Sequence, residues 1–131
     1  MTQEPIELIL LRQCASYLAT PIWLMGLDGG LLYYNEAAEA LVGRRFDEAG
    51  PMPLEELVTT FQMRADDGSP LKFEELVTTR ALREQRPGHR SLRARALDGV
   101  WRSIELTAFP IVGQGGLHLG AVVIFWEAQK P

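Results

Sequence analysis

Cysteine and histidine are scarce in this sequence of 131 residues, which holds one cysteine and two histidines. Cys14 has no partner for an intramolecular disulfide, and no Cys/His spacing typical of zinc sites occurs. A single cysteine is typical of the reducing cytoplasm. Leu8 to Leu11 is far shorter than the roughly 20 apolar residues of a membrane span, and Glu4 and Glu7 stand where a signal peptide is basic. The sequence predicts a cytoplasmic protein with no metal site and no membrane partner.

A strongly basic composition is also absent. The net charge is −4 at pH 7, and the 47% hydrophobic and 23% charged residues are typical of one globular domain with no nucleic-acid partner. The charge is uneven, because residues 1–75 are mainly acidic and the remainder is rich in arginine. The arginines are Arg80, Arg83, Arg86, Arg90, Arg93, Arg95 and Arg102. One interpretation is that they form a solvated helix face and sheet edge. The other is that they bind an anion or an acidic partner.

Three stretches predict helices. Pro5 to Leu18 has apolar residues on nearly every side, so this helix either lies buried or covers its own domain with one side and contacts a second subunit with the other. Asn35 is a good N-cap for a helix from Glu36 to Val42, and Gly43 is a good C-terminal stop. A longer helix is predicted from Phe73 to Gln85.

Five stretches predict strands, namely residues 21–27, 31–34, 89–96, 101–111 and 117–126. The first and the last are apolar on both faces, which is typical of central strands. The third and the fourth alternate between apolar and polar residues. A three-residue turn, Leu97-Asp98-Gly99 with a left-handed glycine, keeps their apolar faces together and sets Leu92 opposite Ile104.

The order of these elements resembles that of the PAS sensory domain over roughly residues 18–127. Pro21-Ile-Trp-Leu-Met-Gly-Leu-Asp-Gly-Gly-Leu-Leu-Tyr-Tyr-Asn-Glu-Ala-Ala-Glu-Ala-Leu-Val-Gly43 is similar to the family's first two strands, Asp-Gly turn, Asn-capped helix and closing glycine. Leu97-Asp-Gly-Val-Trp-Arg-Ser-Ile-Glu-Leu-Thr-Ala-Phe-Pro110 is similar to its second hairpin, and Gly120-Ala-Val-Val-Ile-Phe-Trp126 to its last strand. Trp126-Glu-Ala-Gln129 replaces the family's common Asp-x-Thr linker motif. This leaves a free-standing protein that signals through a non-covalent partner, or a domain whose output was removed.

The resemblance implies an α+β fold, with a five-stranded antiparallel sheet flanked by short helices. Residues 1–19 would be an N-terminal amphipathic cap and dimerisation helix, and residues 20–131 the PAS-like domain. The implied function is that of a non-enzymatic sensory or regulatory module in signal transduction. It would act through a homodimer and a signalling partner protein.

No cofactor is predicted. Flavin-binding relatives use a reactive cysteine on a central helix and amide side chains on the last strands. Here Gly43 to Phe46 has no cysteine, and the aligned strand positions are Ala94, Ile104 and Val122. Haem-binding relatives usually take an axial histidine from the long helix, and Phe73 to Gln85 contains none.

The predicted inner face of the sheet is apolar, and its small residues leave room for a small apolar ligand. The alternative is a core packed solid by its own side chains. The candidate cavity wall consists of Phe73, Leu76, Val77, Leu92, Ala94, Ile104, Leu106, Ala108, Val122 and Ile124.

The predicted outer face needs a cover, and the N-terminal helix supplies one when it packs between this face and a second subunit. The candidate dimer interface consists of Ile6, Ile9, Leu10, Leu11, Cys14, Tyr17, Leu18, Leu119, Val123 and Phe125.

An enzyme is the alternative function. Glu105 is the acid in the middle of an apolar strand, where it could act as the base of a small cone-shaped α+β isomerase with an apolar pocket. Its side chain is predicted to point to the outer face, away from the cavity. A desolvated carboxylate in the pocket would favour the enzyme, and a solid or wholly apolar interior would favour the sensory module.

Overall fold

The chain folds into one antiparallel sheet with short helices on both faces. The computed structural model describes residues 6–53, 55–57, 61–71, 76–95 and 98–128. The strands are β1 Ile22–Gly26, β2 Leu31–Tyr34, β3 Gln62–Arg64, β4 Gly88–Arg95, β5 Trp101–Val112 and β6 His118–Glu127. The helices are α1 Ile6–Ser16, α2 Glu36–Val42, α3 Phe46–Ala49 and α4 Val77–Glu84. Residues 55–57 are also helical.

The strand order is β2-β1-β6-β5-β4-β3, so β1 and β6, the first and last strands in sequence, pair with each other inside the sheet. All five residues of β1 are buried, which confirms it as a central strand. The sheet has six strands rather than the predicted five because β3 adds to the edge of β4. Only Met63 of this three-residue strand packs against the core, and a strand this short is below the roughly four to eight residues over which alternation predicts a strand.

The hairpin of β4 and β5 has the predicted register. Leu92 lies opposite Ile104, and both are buried on the inner face. Gly99 has a φ of 77°, the left-handed conformation expected of it. Leu97 lies outside the described residues. The alternation of β4 and β5 therefore determined both their pairing and their faces.

The helix α2 has the predicted bounds and caps. The Ala38 N–H donates to the Asn35 side chain at the N-terminus, and Gly43 is left-handed at the C-terminus, with a φ of 91°. The predicted helix from Phe73 to Gln85 is shorter in the structure: it begins at Val77, because Leu76 before it is an extended N-cap with φ −72° and ψ 137°, and it ends at Glu84. Residues 72–75 lie outside the described part.

A β-bulge interrupts β6 near its start. Ile111 pairs with Gly120 and Val112 with His118, so Leu119 is an extra residue on β6. Gly120 has a φ of 153°, and a Cβ there would lie 2.1 Å from the Met25 carbonyl oxygen. The position therefore requires glycine. The bulge puts Leu119 and Val122 on the same face.

Two hydrophobic cores lie on opposite faces of the sheet. The outer core joins α1 to β1, β5 and β6 through Leu8, Ala15, Ile22, Leu24, Ile111, Leu119 and Val122. The inner core is larger and joins the sheet to α2 and α4. Its buried members include Trp23, Tyr34, Val42, Phe61, Ala81, Leu92, Ile104, Leu106, Ala108, Val123 and Phe125. The inner core contains a cavity between the sheet and these two helices.

Candidate functional site

A cavity of about 80 Å³ lies between the inner face of the sheet and the helices α2 and α4. Its lining is almost entirely apolar. The lining residues are Trp23, Leu41, Val42, Phe61, Met63, Leu76, Val77, Thr78, Leu92, Ala94, Arg102, Ile104, Leu106, Val123 and Phe125. No carboxylate belongs to this set among the described residues. Six residues of the predicted wall are among them, namely Leu76, Val77, Leu92, Ala94, Ile104 and Leu106.

The other four residues of the predicted wall lie elsewhere. Ala108 is buried in the inner core but does not line the cavity. Val122 and Ile124 pack on the outer face, in the core beneath α1, so their predicted placement is wrong. Phe73 lies outside the described residues.

The error on β6 also affects the predicted dimer interface. Val123 and Phe125 line the cavity, where they lie opposite Ala108 and Leu106 of β5, and no second subunit can reach them there. Directly opposed residues share a face. Because β6 is apolar on both faces, its sequence alone could not assign them. The alternation of β5 determines its own faces, and its pairing with β6 would have assigned the faces of β6.

Several lining residues were not part of the predicted cavity wall. Trp23 comes from β1, which is buried on both faces, and its ring packs against Phe61 and Phe125 at centroid distances of 5.3 and 5.4 Å. Leu41 and Val42 come from α2, and Met63 from β3. Leu41 and Val42 are consecutive residues of a short helix, so their pattern does not show which side of α2 faces the sheet. No strand was predicted at β3.

Polar groups at the cavity are few. Arg102 forms a two-pronged ion pair with Asp98, with Nη2 2.7 Å from Oδ2 and Nη1 3.2 Å from Oδ1. The hydrogen bond from Arg102 holds the pKa of Asp98 below its usual value. The Trp23 Nε1 atom is buried and has no hydrogen-bond partner among the described residues. The cavity therefore offers almost no polar groups to a ligand.

The helix α1 has two opposite apolar faces. Leu8 and Ala15 are 7% and 3% exposed and pack on the sheet. Ile6, Leu10 and Tyr17 are 63%, 56% and 82% exposed, and helical spacing sets them on the other side.

The remaining residues of the predicted interface divide in the same way. Ile9, Cys14 and Leu18 are exposed, whereas Leu11 is half-buried against the outer core. Leu119 is buried beneath α1.

Asn35 connects α1 to the rest of the fold, and it is 0% exposed. Its Nδ2 donates to the carbonyl oxygens of Ala15 and Thr20, each at 2.9 Å. Its Oδ1 accepts from the N–H groups of Ile22 and Ala38, at 3.0 and 3.1 Å. One side chain thus joins the end of α1, the start of β1 and the start of α2.

Glu105 lies on the outer face, as predicted, and is half-buried. The Trp126 Nε1 donates to Glu105 Oε2 at 3.1 Å, and His89 Nε2 lies 3.6 Å from Oε1. This carboxylate does not line the cavity.

A family model described as the PAS fold matches residues 10–126. The chain belongs to the PAS family. Its six-stranded antiparallel sheet with short helices is the family's α+β fold. The match begins inside α1, so it includes the end of the cap helix. A search of curated proteins found no match.

Solved structures of PAS domains are similar to this one. The PAS domain of nitrogen regulation protein NR(II) from Vibrio parahaemolyticus is 18% identical, with a TM-score of 0.65 over 91% of this chain and 98% of that chain. A PAS domain from Colwellia psychrerythraea is 18% identical, with a TM-score of 0.62 over 92% and 96%. The PAS domain of Bordetella pertussis BvgS is 15% identical, with a TM-score of 0.60 over 95% and 87%. At these identities the likeness concerns the fold.

Of the three strand positions aligned with the amides of flavin-binding relatives, Ala94 and Ile104 line the cavity. Val122 points away from the cavity, and Val123 lines it instead. All of these side chains are apolar. In the described residues, no group of three or more potential metal ligands is gathered, and no helix is long and apolar enough to cross a membrane.

Proposed function

We propose that this PAS domain is a non-enzymatic sensory module that holds a small apolar ligand in its cavity and signals through a homodimer and a partner protein. The apolar cavity carries the proposal. PAS domains are typically sensory, non-enzymatic modules of signalling proteins. A cavity without a described carboxylate supports this function over the isomerase, whose base would have to face the substrate.

The size of the cavity limits the ligand. At about 80 Å³ it has roughly half the volume of a dry apolar cavity that accepts benzene, about 150 Å³. A ligand of a few heavy atoms would fill it without expansion. Binding would draw on apolar contacts, since few polar groups line the site.

Xenon is a suitable probe of this cavity because apolar cavities bind it without hydrogen bonds. Under xenon pressure, the methyl NMR signals of Leu92, Ile104 and Val123, which line the cavity, should shift in a saturable way. The variant Ala94→Leu fills the cavity and should lose these shifts. Ala40→Leu, on the exposed side of α2, makes the same change outside the cavity and should keep them. Non-saturable shifts, or equal shifts in both variants, would contradict the ligand site.

Native mass spectrometry of freshly purified protein tests the same proposal without a chosen probe. We expect no stoichiometric flavin or haem, and an absorbance spectrum without their visible bands. A retained small molecule should leave when Ala94→Leu is introduced. A stoichiometric chromophore would refute the assignment of an apolar ligand.

The homodimer is proposed to form through the exposed face of α1, within residues 1–19. Ile6, Ile9 and Leu10, with Tyr17 just after the helix, form an apolar stripe on the side away from the sheet that the exposed Gln13 interrupts. Soluble monomers rarely leave several large apolar side chains gathered on one face in water. A twofold axis along this stripe would bury it against its own copy.

Light scattering tests the dimer. The chain should be dimeric at about 100 times a micromolar dissociation constant, and the double variant Ile9→Asp and Leu10→Asp should be monomeric with an unchanged circular dichroism spectrum. Ala40→Asp with Gln85→Asp adds the same charge at exposed positions away from α1 and should stay dimeric. A monomeric parent chain would refute the interface.

We also propose that the protein acts in the cytoplasm. The single cysteine of the chain, Cys14, is exposed, and an exposed thiol stays reduced in that compartment.

A further inference from the structure

Within the described part of the chain, half of the outer face of the sheet has no cover. The helix α1 packs over β1, β6 and the end of β5, and among the described residues no element packs over β3, β4 and the start of β5. The exposed arginines Arg64, Arg93 and Arg95 lie there, together with the half-buried Trp101. We name these four residues the arginine patch.

The strand register forces the positive charges of the patch together. Arg64 lies directly opposite Arg93, and Arg95 lies opposite Trp101. Like charges on directly opposed residues of a sheet repel each other. Among the described residues, no carboxylate forms an ion pair with any of the three arginines.

Trp101 orders two of the arginines. The guanidinium carbon of Arg64 lies 4.6 Å from the centroid of the indole ring, and that of Arg93 lies 6.0 Å away. A guanidinium stacked on a ring keeps its N–H edge free for a bidentate carboxylate. Trp101 thus orders two of the three guanidinium groups, and their N–H groups can donate to a carboxylate.

We propose that the arginine patch docks an acidic segment of a partner protein, with Asp or Glu side chains binding the three guanidinium groups. Charge complementarity identifies this occupant. A single-stranded nucleic acid would need the face of Trp101 for base stacking, and Arg64 already lies over that ring.

The next row of the sheet limits the position of the partner. The Ser91 hydroxyl donates to Asp66, and Glu105 lies opposite Ser91, so this row is negative. An extended polyanion crossing both rows would meet these carboxylates. A peptide whose acidic residues are confined to the patch avoids them, which fixes its register.

Fluorescence anisotropy with labelled short peptides tests the proposal. A peptide of alternating Glu and Ala should bind, more weakly as salt rises, and the same peptide with Gln in place of Glu should not. In the triple variant Arg64→Gln, Arg93→Gln and Arg95→Gln, affinity should fall about tenfold or more. Replacement of the three arginines by lysine should recover only part of it, because lysine lacks the planar fork.

The matched control removes the same charge elsewhere. Arg80→Gln, Arg83→Gln and Arg86→Gln change exposed positions at α4 and just after it, and should alter affinity less than about twofold. Equal loss in both triple variants would mean unspecific charge attraction and would overturn the proposal. So would tighter binding of an oligo-dT of equal charge that is lost in the patch variant, since it would assign the surface to nucleic acid.

Discussion

Replacing Asn35 by alanine should destabilise the domain far more than the loss of a helix cap. An N-cap substitution alone costs about 1 kcal/mol. Asn35 also accepts from the Ile22 N–H and donates to the Ala15 and Thr20 carbonyl oxygens, all in a side chain that is 0% exposed. Each buried group left without its partner costs about 1–3 kcal/mol. We expect a total of about 4 kcal/mol, a large part of a usual unfolding free energy of 5–15 kcal/mol.

Urea unfolding followed by circular dichroism measures this loss. Asn35→Ser is the informative comparison, because serine can still cap Ala38 but is too short to reach the end of α1. It should fall between the parent and Asn35→Ala. Asn35→Asp keeps the shape but turns a carboxylate oxygen toward two carbonyl oxygens, so it should be at least as damaging as alanine at neutral pH.

Hydrogen exchange locates the damage. Relative to the parent protein, Asn35→Ala should speed up the exchange of the α1 amides more than that of the α4 amides. The reason is that Asn35 holds the C-terminal end of α1 and makes no hydrogen bond to α4. A loss of only about 1 kcal/mol, with unchanged exchange in α1, would show that Asn35 acts as a cap and nothing more.

Two further predictions concern single positions. Gly120→Ala should cost about 3 kcal/mol or more in urea unfolding, because its Cβ would meet the Met25 carbonyl oxygen at 2.1 Å. Gly115→Ala also has a positive φ but open space around it, and should cost only about 1–2 kcal/mol; equal losses would contradict the clash. Burial raises the pKa of Tyr34 from 10.0 to about 12, so the neutral phenol's contribution is complete below pH 10 and is lost as pH rises towards 12. Urea midpoints measured between pH 10 and 12 should therefore decline less in Tyr34→Phe than in the parent protein. An equal decline in both proteins would refute this prediction.

The sequence predicted those elements correctly whose residue pattern was unambiguous. β4 and β5 alternate strictly, so their register, faces and cavity residues followed from Leu92 and Ile104. The caps of α2 were equally legible, because Asn35 and Gly43 have local roles.

The failures share a physical cause. The faces of β6 depend on its pairing with β5 and on the bulge before Gly120, and neither is encoded in an apolar run. β3 exists because β4 offers an edge, and Met63 alone points inward. Non-local pairing decided what local pattern left open.

The strand order also has a consequence for the time course of synthesis. β1 leaves the ribosome early, and its neighbour β2 follows at once, but its other neighbour β6 lies about 100 residues further along the chain. A two-stranded hairpin is at best marginally stable in water. Until β6 emerges, the nascent chain holds β1 and β2 apart from β3, β4 and β5, each group with an open edge. Translation of the last strand is therefore the event that joins two half-sheets, and a ribosome that stalls before His118 presents both edges to chaperones or to aggregation.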